Sequence, residues 1–414
     1  MSDQTPFEAR LADAYARYVA AAPVEVDPQM VAAAVATSGR GRSLGWSNVI
    51  SPGRRVAVLI AVGVVALLLV AAAALVGGRL VERPPNAGLL AYELDGDIYL
   101  ADHDGAHPRK VADGVPWTDA GGGQTYVFGD GGRAWAPDGR HFLFFDSQGA
   151  AATPQLTGHI ADASGHVVAS IPNIWVDATW SPDSTRIEGW TGGSAWIGTT
   201  QISIFGVDGA LQESLSLPSG YVRGREHPGF WAPDGQSVYV RLGPVTGSPY
   251  LFWQLPVDGS APRHVAPDDL IARAGDDLSF SPDGSRIAAI VASTLVVANA
   301  DGTDPRGVGP ASSGRPIWSP TGAQVAYLRV TDTDAQTADI GVVDIASGAD
   351  RTVVAGLKIN GPGLLGWSPA GDRVLFAGLN KTGSSLSSIN ADGTDRKVLV
   401  AGAPGGAWQP VPTP

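Results

Sequence analysis

The chain has 414 residues, too many for one ordinary hydrophobic core and enough for a large repeat domain with appendages. It contains no cysteine, which excludes disulfides, thiolate metal sites, a cysteine nucleophile and a lipidated N-terminal cysteine. The net charge of −12 comes from residues 84–414, where 34 acidic side chains face 20 basic ones; such a domain repels phosphates, which argues against nucleic acid as its partner.

Thr5-Pro6-Phe7-Glu8 reads as a capping box, with Thr at the N-cap, Pro at the first helical position and Glu three residues on. The helix it opens carries Phe7, Leu11, Tyr15, Tyr18 and Val19 on one stripe and ends at Pro23. Asp27-Pro28 starts a second short helix with Met30, Val31, Ala34 and Val35 as its apolar side. Two such helices bury too little surface to be stable alone, so residues 1–37 are expected to dock on a partner or to stay loosely ordered. Residues 38–55 are a Gly/Ser/Arg linker.

Val56 to Gly77 is a run of 22 residues with no charge. At about 1.5 Å per residue a helix of this length spans roughly 33 Å, enough for a hydrocarbon core of about 30 Å. A cleaved signal peptide has a short leading region and an apolar stretch of about 7–15 residues. Here 55 residues precede a longer run, so an uncleaved transmembrane anchor in the lipid bilayer is expected. Arg40, Arg42, Arg54 and Arg55 precede it without a nearby acid, whereas Arg79 and Arg83 follow it beside Glu82. The positive-inside bias then puts the N-terminus in the cytoplasm and everything after the 78–87 linker outside.

From residue 88 a motif recurs: an aromatic residue, a small residue, proline and a turn, starting at Trp135, Trp180, Trp231, Phe280, Trp318 and Trp367, with a reduced copy at Trp408-Gln409-Pro410. The spacings of 45, 51, 49, 38, 49 and 41 residues are the period of a β-propeller blade. In Trp231-Ala232-Pro233-Asp234-Gly235 the residues after the tryptophan fit a type I β-turn, and alternating apolar residues such as Val238/Val240 follow as a half-buried strand. Second turns occur at Gly105, Gly165, Gly209, Gly259, Gly302, Gly348 and Gly393. Seven second turns and seven boxes predict an all-β, seven-bladed propeller of four-stranded blades over residues 88–410. The segment around Trp408 would complete the first blade and so remove an open sheet edge.

Trp180-Ser181-Pro182-Asp183 and Phe280-Ser281-Pro282-Asp283-Gly284 resemble the Trp-Ser-Pro-Asp-Gly box of the TolB-type, WD-like propeller family. Trp318-Ser319-Pro320-Thr321-Gly322 and Trp367-Ser368-Pro369-Ala370-Gly371 lack its Asp. The resemblance implies the fold; propellers of this kind serve transport assemblies, protease gating domains and sensor ectodomains alike. A helical head before one span and an outer sensor domain resembles membrane-bound anti-sigma factors, which implies a cytoplasmic sigma-factor partner for the N-terminal helices. The zinc-binding form of that family uses His and Cys, and this head has neither.

No Gly-x-Ser-x-Gly elbow, His-Glu-x-x-His pair or phosphate-cradling loop is present. His103 and His107 share a loop with Asp102 and Asp104, better read as surface turn residues than as a metal site; Asp332 and Asp334 form an acidic loop without the ligand count of a calcium cage. Box tryptophans are expected to pack between blades, and Trp117, in a Gly-rich insertion, is the leading aromatic for exposed contact. The expectation is therefore a single-pass membrane protein whose outer propeller binds a protein or other ligand and is not an enzyme. No catalytic, cofactor or metal residues are assigned. The alternatives are a membrane-anchored enzyme of glycosidase or lyase type, with carboxylates meeting across the channel, and a structural component of an envelope transport complex.

Overall fold

A computed structural model describes residues 88–410 except 115–124, 129–133, 149–154, 176, 192–200, 224–228, 245–249, 267, 276, 313, 334–335, 360–362 and 381–382. These lie in one compact unit, residues 82–414. The helical head, the linkers, the apolar run 56–77, Trp117 and Asp334 fall outside the described residues. Among the described residues no helix is long and apolar enough to cross a membrane.

The alternating apolar pattern produces seven antiparallel sheets. In the second blade Thr125–Val127, His141–Gln148, Gln155–Asp162 and Val167–Pro172 pair in chain order. The third, fifth, sixth and seventh blades repeat this order over residues 179–215, 278–310, 317–358 and 364–401. The fourth blade has its innermost strand in two pieces, Tyr221–Arg223 and Phe230–Trp231, both paired to Ser237–Pro244. Every box ends an innermost strand or, in the second blade, an isolated bridge from Trp135 to Phe142.

Each box turns as its sequence demands. The amide of the fourth turn residue donates to the carbonyl of the first, as from Gly139 to Ala136, Gly235 to Ala232 and Gly284 to Ser281, all within 2.9 Å. All seven second-turn glycines have positive φ, between 70° and 88°. In the box of the third blade the turn position that glycine takes elsewhere is Ser184, held at φ 63°, where its Oγ accepts from the Asp138 amide of the second blade at 2.9 Å. The left-handed conformation is costly for a residue with a Cβ, and this inter-blade bond offsets part of that cost.

The hydrophobic core is not a single mass. It divides into seven clusters, each built from two neighbouring blades. One of them joins the last blade to the first, setting Leu365, Leu375 and Leu386 against Leu90, Tyr92 and Trp408. The ring closes as the box count requires: Gly405–Trp408 pairs antiparallel with Leu89–Leu94, and Leu90 faces Trp408. Gln409 locks the seam. Its amide donates to the Leu89 carbonyl at 2.7 Å, its Oε1 accepts from the Leu89 amide at 2.9 Å, and its Nε2 donates to the Gly139 carbonyl at 2.7 Å. A Cβ on Gly139, at φ +69°, would collide with the Pro410 carbonyl, so the seam passes too close to the second blade for any side chain there.

One helix, Leu270–Ala274, was not expected from the repeat. Asp269 caps it through the Ile271 amide and Gly275 ends it at φ 66°, signals present in the sequence but compressed into five residues.

Trp408 is 8% exposed, so Trp408→Ala is expected to cost about 3–5 kcal/mol in denaturant unfolding, the range for truncating a buried aromatic. Val398→Ala, at a side chain 58% exposed on the outermost strand of the last blade, should change stability by less than about 0.5 kcal/mol.

Candidate binding site at the channel mouth

The innermost strands of neighbouring blades lie side by side, so their box turns gather around the channel opening. The boxes are bound to one another by a repeated hydrogen bond. The indole N–H of each box tryptophan donates to the carbonyl just before the box aromatic of the preceding blade. Trp135 reaches Ala407 at 3.2 Å, Trp180 reaches Ala134 at 3.0 Å and Trp231 reaches Thr179 at 3.2 Å. Trp318 reaches Ser279 at 3.1 Å and Trp367 reaches Ile317 at 2.9 Å. The series has two departures. Phe280 has no N–H to offer the fourth blade, and Trp408 donates instead to the His103 carbonyl at 2.8 Å.

A second inter-blade contact comes from six residues after the box aromatic. Arg186 and Arg286 lie 5.0 Å from the rings of Trp231 and Trp318 and donate to the carbonyls of Gly235 and Gly322 at 2.7 and 2.8 Å. His141, at the same offset, stacks on Trp180. These residues lie outside the box motif. Their signal was an arginine opening the strand after the box, present at 186, 286 and 373, although Arg373 turns to Ser388, Asn390 and Asp395 of its own blade.

At the mouth the turns frame a cavity of about 680 Å³. Its wall is apolar and rigid: Pro137, Pro182, Pro233, Pro282 and Pro410 stand around the box aromatics Trp135, Trp180, Trp231 and Phe280. The indole N–H groups are committed to carbonyls, so polar recognition falls to Asp183, Asp283 and Arg315. Asp283 accepts from Ser281 Oγ at 2.5 Å, Ser285 Oγ at 2.8 Å and the Ser285 amide at 3.1 Å; these bonds hold its carboxyl down to about 2. In Asp183 burial pushes the carboxyl up, but bonds from Ser181 and Thr185 with the charge of Arg186 outweigh it, and the net shift is downward. Both carboxylates are exposed.

Arg315 differs. Its Nη1 is buried and has no hydrogen-bond partner among the described residues. A guanidinium stays protonated at any ordinary pH, and a buried donor on it is costly when unpaired. Its backbone is fixed on both sides: the Gly314 amide donates to Asp277 Oδ1 at 3.0 Å, and the Pro316 carbonyl accepts from Ser279 Oγ at 2.6 Å. Nothing in the repeat pattern marks it, because the position three before a box aromatic varies freely, with Asp177, Asp277 and Arg315 in three blades.

His107 Nδ1 lies 2.9 Å from Asp102 Oδ2, while the His103 carbonyl takes the Trp408 indole; the pair belongs to the turn of the first blade. Among the described residues no three His, Cys, Asp or Glu side chains gather in a metal-binding group.

No family model matches the chain, and no curated protein does. Similar solved structures are propellers. TolB from Acinetobacter baumannii is 16% identical, with 80% of this chain and 69% of that one covered and a TM-score of 0.43. The periplasmic gluconolactonase PpgL of Pseudomonas aeruginosa is 17% identical over 79% and 99%, with a TM-score of 0.49. An oligogalacturonate lyase solved with manganese is 12% identical over 75% and 83%, with a TM-score of 0.48. At these identities the likeness is one of fold. It corrects the expectation that the chain is not an enzyme: propellers of similar fold include enzymes beside TolB, so the architecture excludes neither. The resemblance of the head to anti-sigma factors concerns residues outside those described.

Trp180→Phe keeps the ring but leaves the Ala134 carbonyl without its donor, and should cost about 1–3 kcal/mol in unfolding free energy. Because the Asp283 carboxyl sits at about 2 in the fold and near 3.9 in an unfolded chain, its contribution is complete above about pH 4 and is lost as pH falls toward 2. Asp283→Asn should therefore narrow the difference in denaturant midpoint between pH 5 and pH 2.

Proposed function

We propose that this chain is a single-pass membrane protein whose propeller stands outside the cytoplasm and captures a protein segment at the channel mouth. The 22-residue apolar run and its arginine flanks support the anchor and its direction. The mouth cavity with Arg315 supports the capture: a rigid proline wall offers flat apolar contact to an extended chain, and the guanidinium suits a carboxylate or carbonyl of that segment. The committed carboxylates of Asp183 and Asp283 are acceptors for its amide N–H groups. The two amphipathic helices before the span then take a cytoplasmic partner, a sigma factor being the one that the anti-sigma layout implies.

The observation that carries the reading is the buried Nη1 of Arg315, without a hydrogen-bond partner among the described residues, in the wall of a cavity of about 680 Å³. The absence of cysteine makes topology directly measurable. In intact cells a membrane-impermeant maleimide should label Thr303→Cys, in an exposed outer turn, and leave Ser38→Cys unlabelled. The reverse pattern, or full release of the chain by alkaline carbonate, overturns the anchor. A photo-crosslinking residue at Pro137, on the mouth, should give a discrete adduct that Arg315→Glu abolishes and that the same residue at Thr303 does not give. An adduct indifferent to Arg315→Glu overturns the mouth as the binding site.

A further inference from the structure

We propose that a recess on the outside of the fourth blade is a second ligand site, for a small oxyanion carried on a flat ring. The outermost strand of that blade is only two residues long, Arg263–His264, and the chain then folds back as the helix Leu270–Ala274. The space that a longer strand would fill is left open as a recess of about 230 Å³, bordered by Arg241, Tyr250, His264 and Arg273 over Phe252. At about 30 Å³ per water this holds roughly eight waters, the scale of a small molecule rather than a polymer.

The chemistry of the border is selective. Among the described residues it contains two arginines and a histidine and no carboxylate, in a domain where acids outnumber bases 34 to 20. Arg273 is exposed, on the last turn of the helix, and its side chain makes no hydrogen bond or ion pair among the described residues. Asp269, the acid nearest in sequence to the helix, is turned to the helix start, where it accepts from the Ile271 amide at 2.9 Å. His264 is held edge-on against Trp253, with centroids 5.3 Å apart, so a ring nitrogen is presented in a fixed direction. Tyr250 leaves 43% of its surface open, and the Arg241 guanidinium lies 5.5 Å over its ring. A flat ring packs along the open edge of Tyr250, beside the Arg241 guanidinium, while its oxyanion meets Arg273 and His264. Phe252, 4% exposed, closes the floor with an apolar surface.

The test is a calorimetric titration of the full chain, purified in detergent, with benzoate, acetate and inorganic phosphate at fixed ionic strength. The expected result is saturable benzoate binding, tighter than that of acetate or phosphate, weakened at least about tenfold by Arg273→Glu and by Tyr250→Ala. Arg351→Glu, on the exposed outer strand of the sixth blade, and Arg315→Glu at the mouth should leave it unchanged. No saturable heat, or equal affinity in Arg273→Glu, overturns the site; phosphate binding as tight as benzoate overturns the flat ring. Because Arg315→Glu probes the mouth alone, failure here and failure of protein capture there are told apart.

Discussion

The structure depends on a hydrogen bond between an indole N–H and a backbone carbonyl of the neighbouring blade. The innermost strand of a blade is a sheet edge, and edge carbonyls need donors. A buried tryptophan carries the complementary need, since its N–H is expensive to leave unpaired. Five box tryptophans meet both demands at once, with donor–acceptor distances from 2.9 to 3.2 Å. Each bond also sets the angle between two blades, and the inter-blade apolar clusters fill in behind it. Arginines and a histidine at the start of the next strand cover the same rings from the other side.

That arrangement explains what the mouth can recognise. With the indole donors spent on the frame, the lining that remains is proline, aromatic edge, two carboxylates held in turns and one guanidinium. The junction before Phe280 lacks the bond, and it is beside this junction that the short helix and the shortened outer strand leave the second recess. The cluster between these two blades draws on that helix through Leu270, Ile271 and Ala274. Where the common fastening is missing, local packing takes its place.

The architecture was legible in the sequence because it is written as a period. Aromatic, small residue, proline and turn recur at blade spacing, and the reduced copy at Trp408 had to fall beside the first strands for the count to close, as it does. The turn chemistry was equally readable, down to the i to i+3 bonds of the boxes. What repetition does not encode was missed. Arg315 is a single departure in one blade, the helix at 270–274 is an insertion, and the stacking of Arg186 and Arg286 is a contact between repeats rather than within one. Ser184 shows the limit from the other direction. It departs from the glycine of the other boxes, and its side chain ties two blades together. Activity is a further step removed, because a fold by itself assigns no chemistry.

The most direct test of the fastening is the hydrogen exchange of the tryptophan indole N–H groups, followed residue by residue in isotopically labelled protein. The account predicts slow exchange, tracking global unfolding, for Trp135, Trp180, Trp231, Trp318 and Trp367. Fast exchange at these positions in the folded protein would show that the indoles do not hold neighbouring blades together, and would contradict the account at its base.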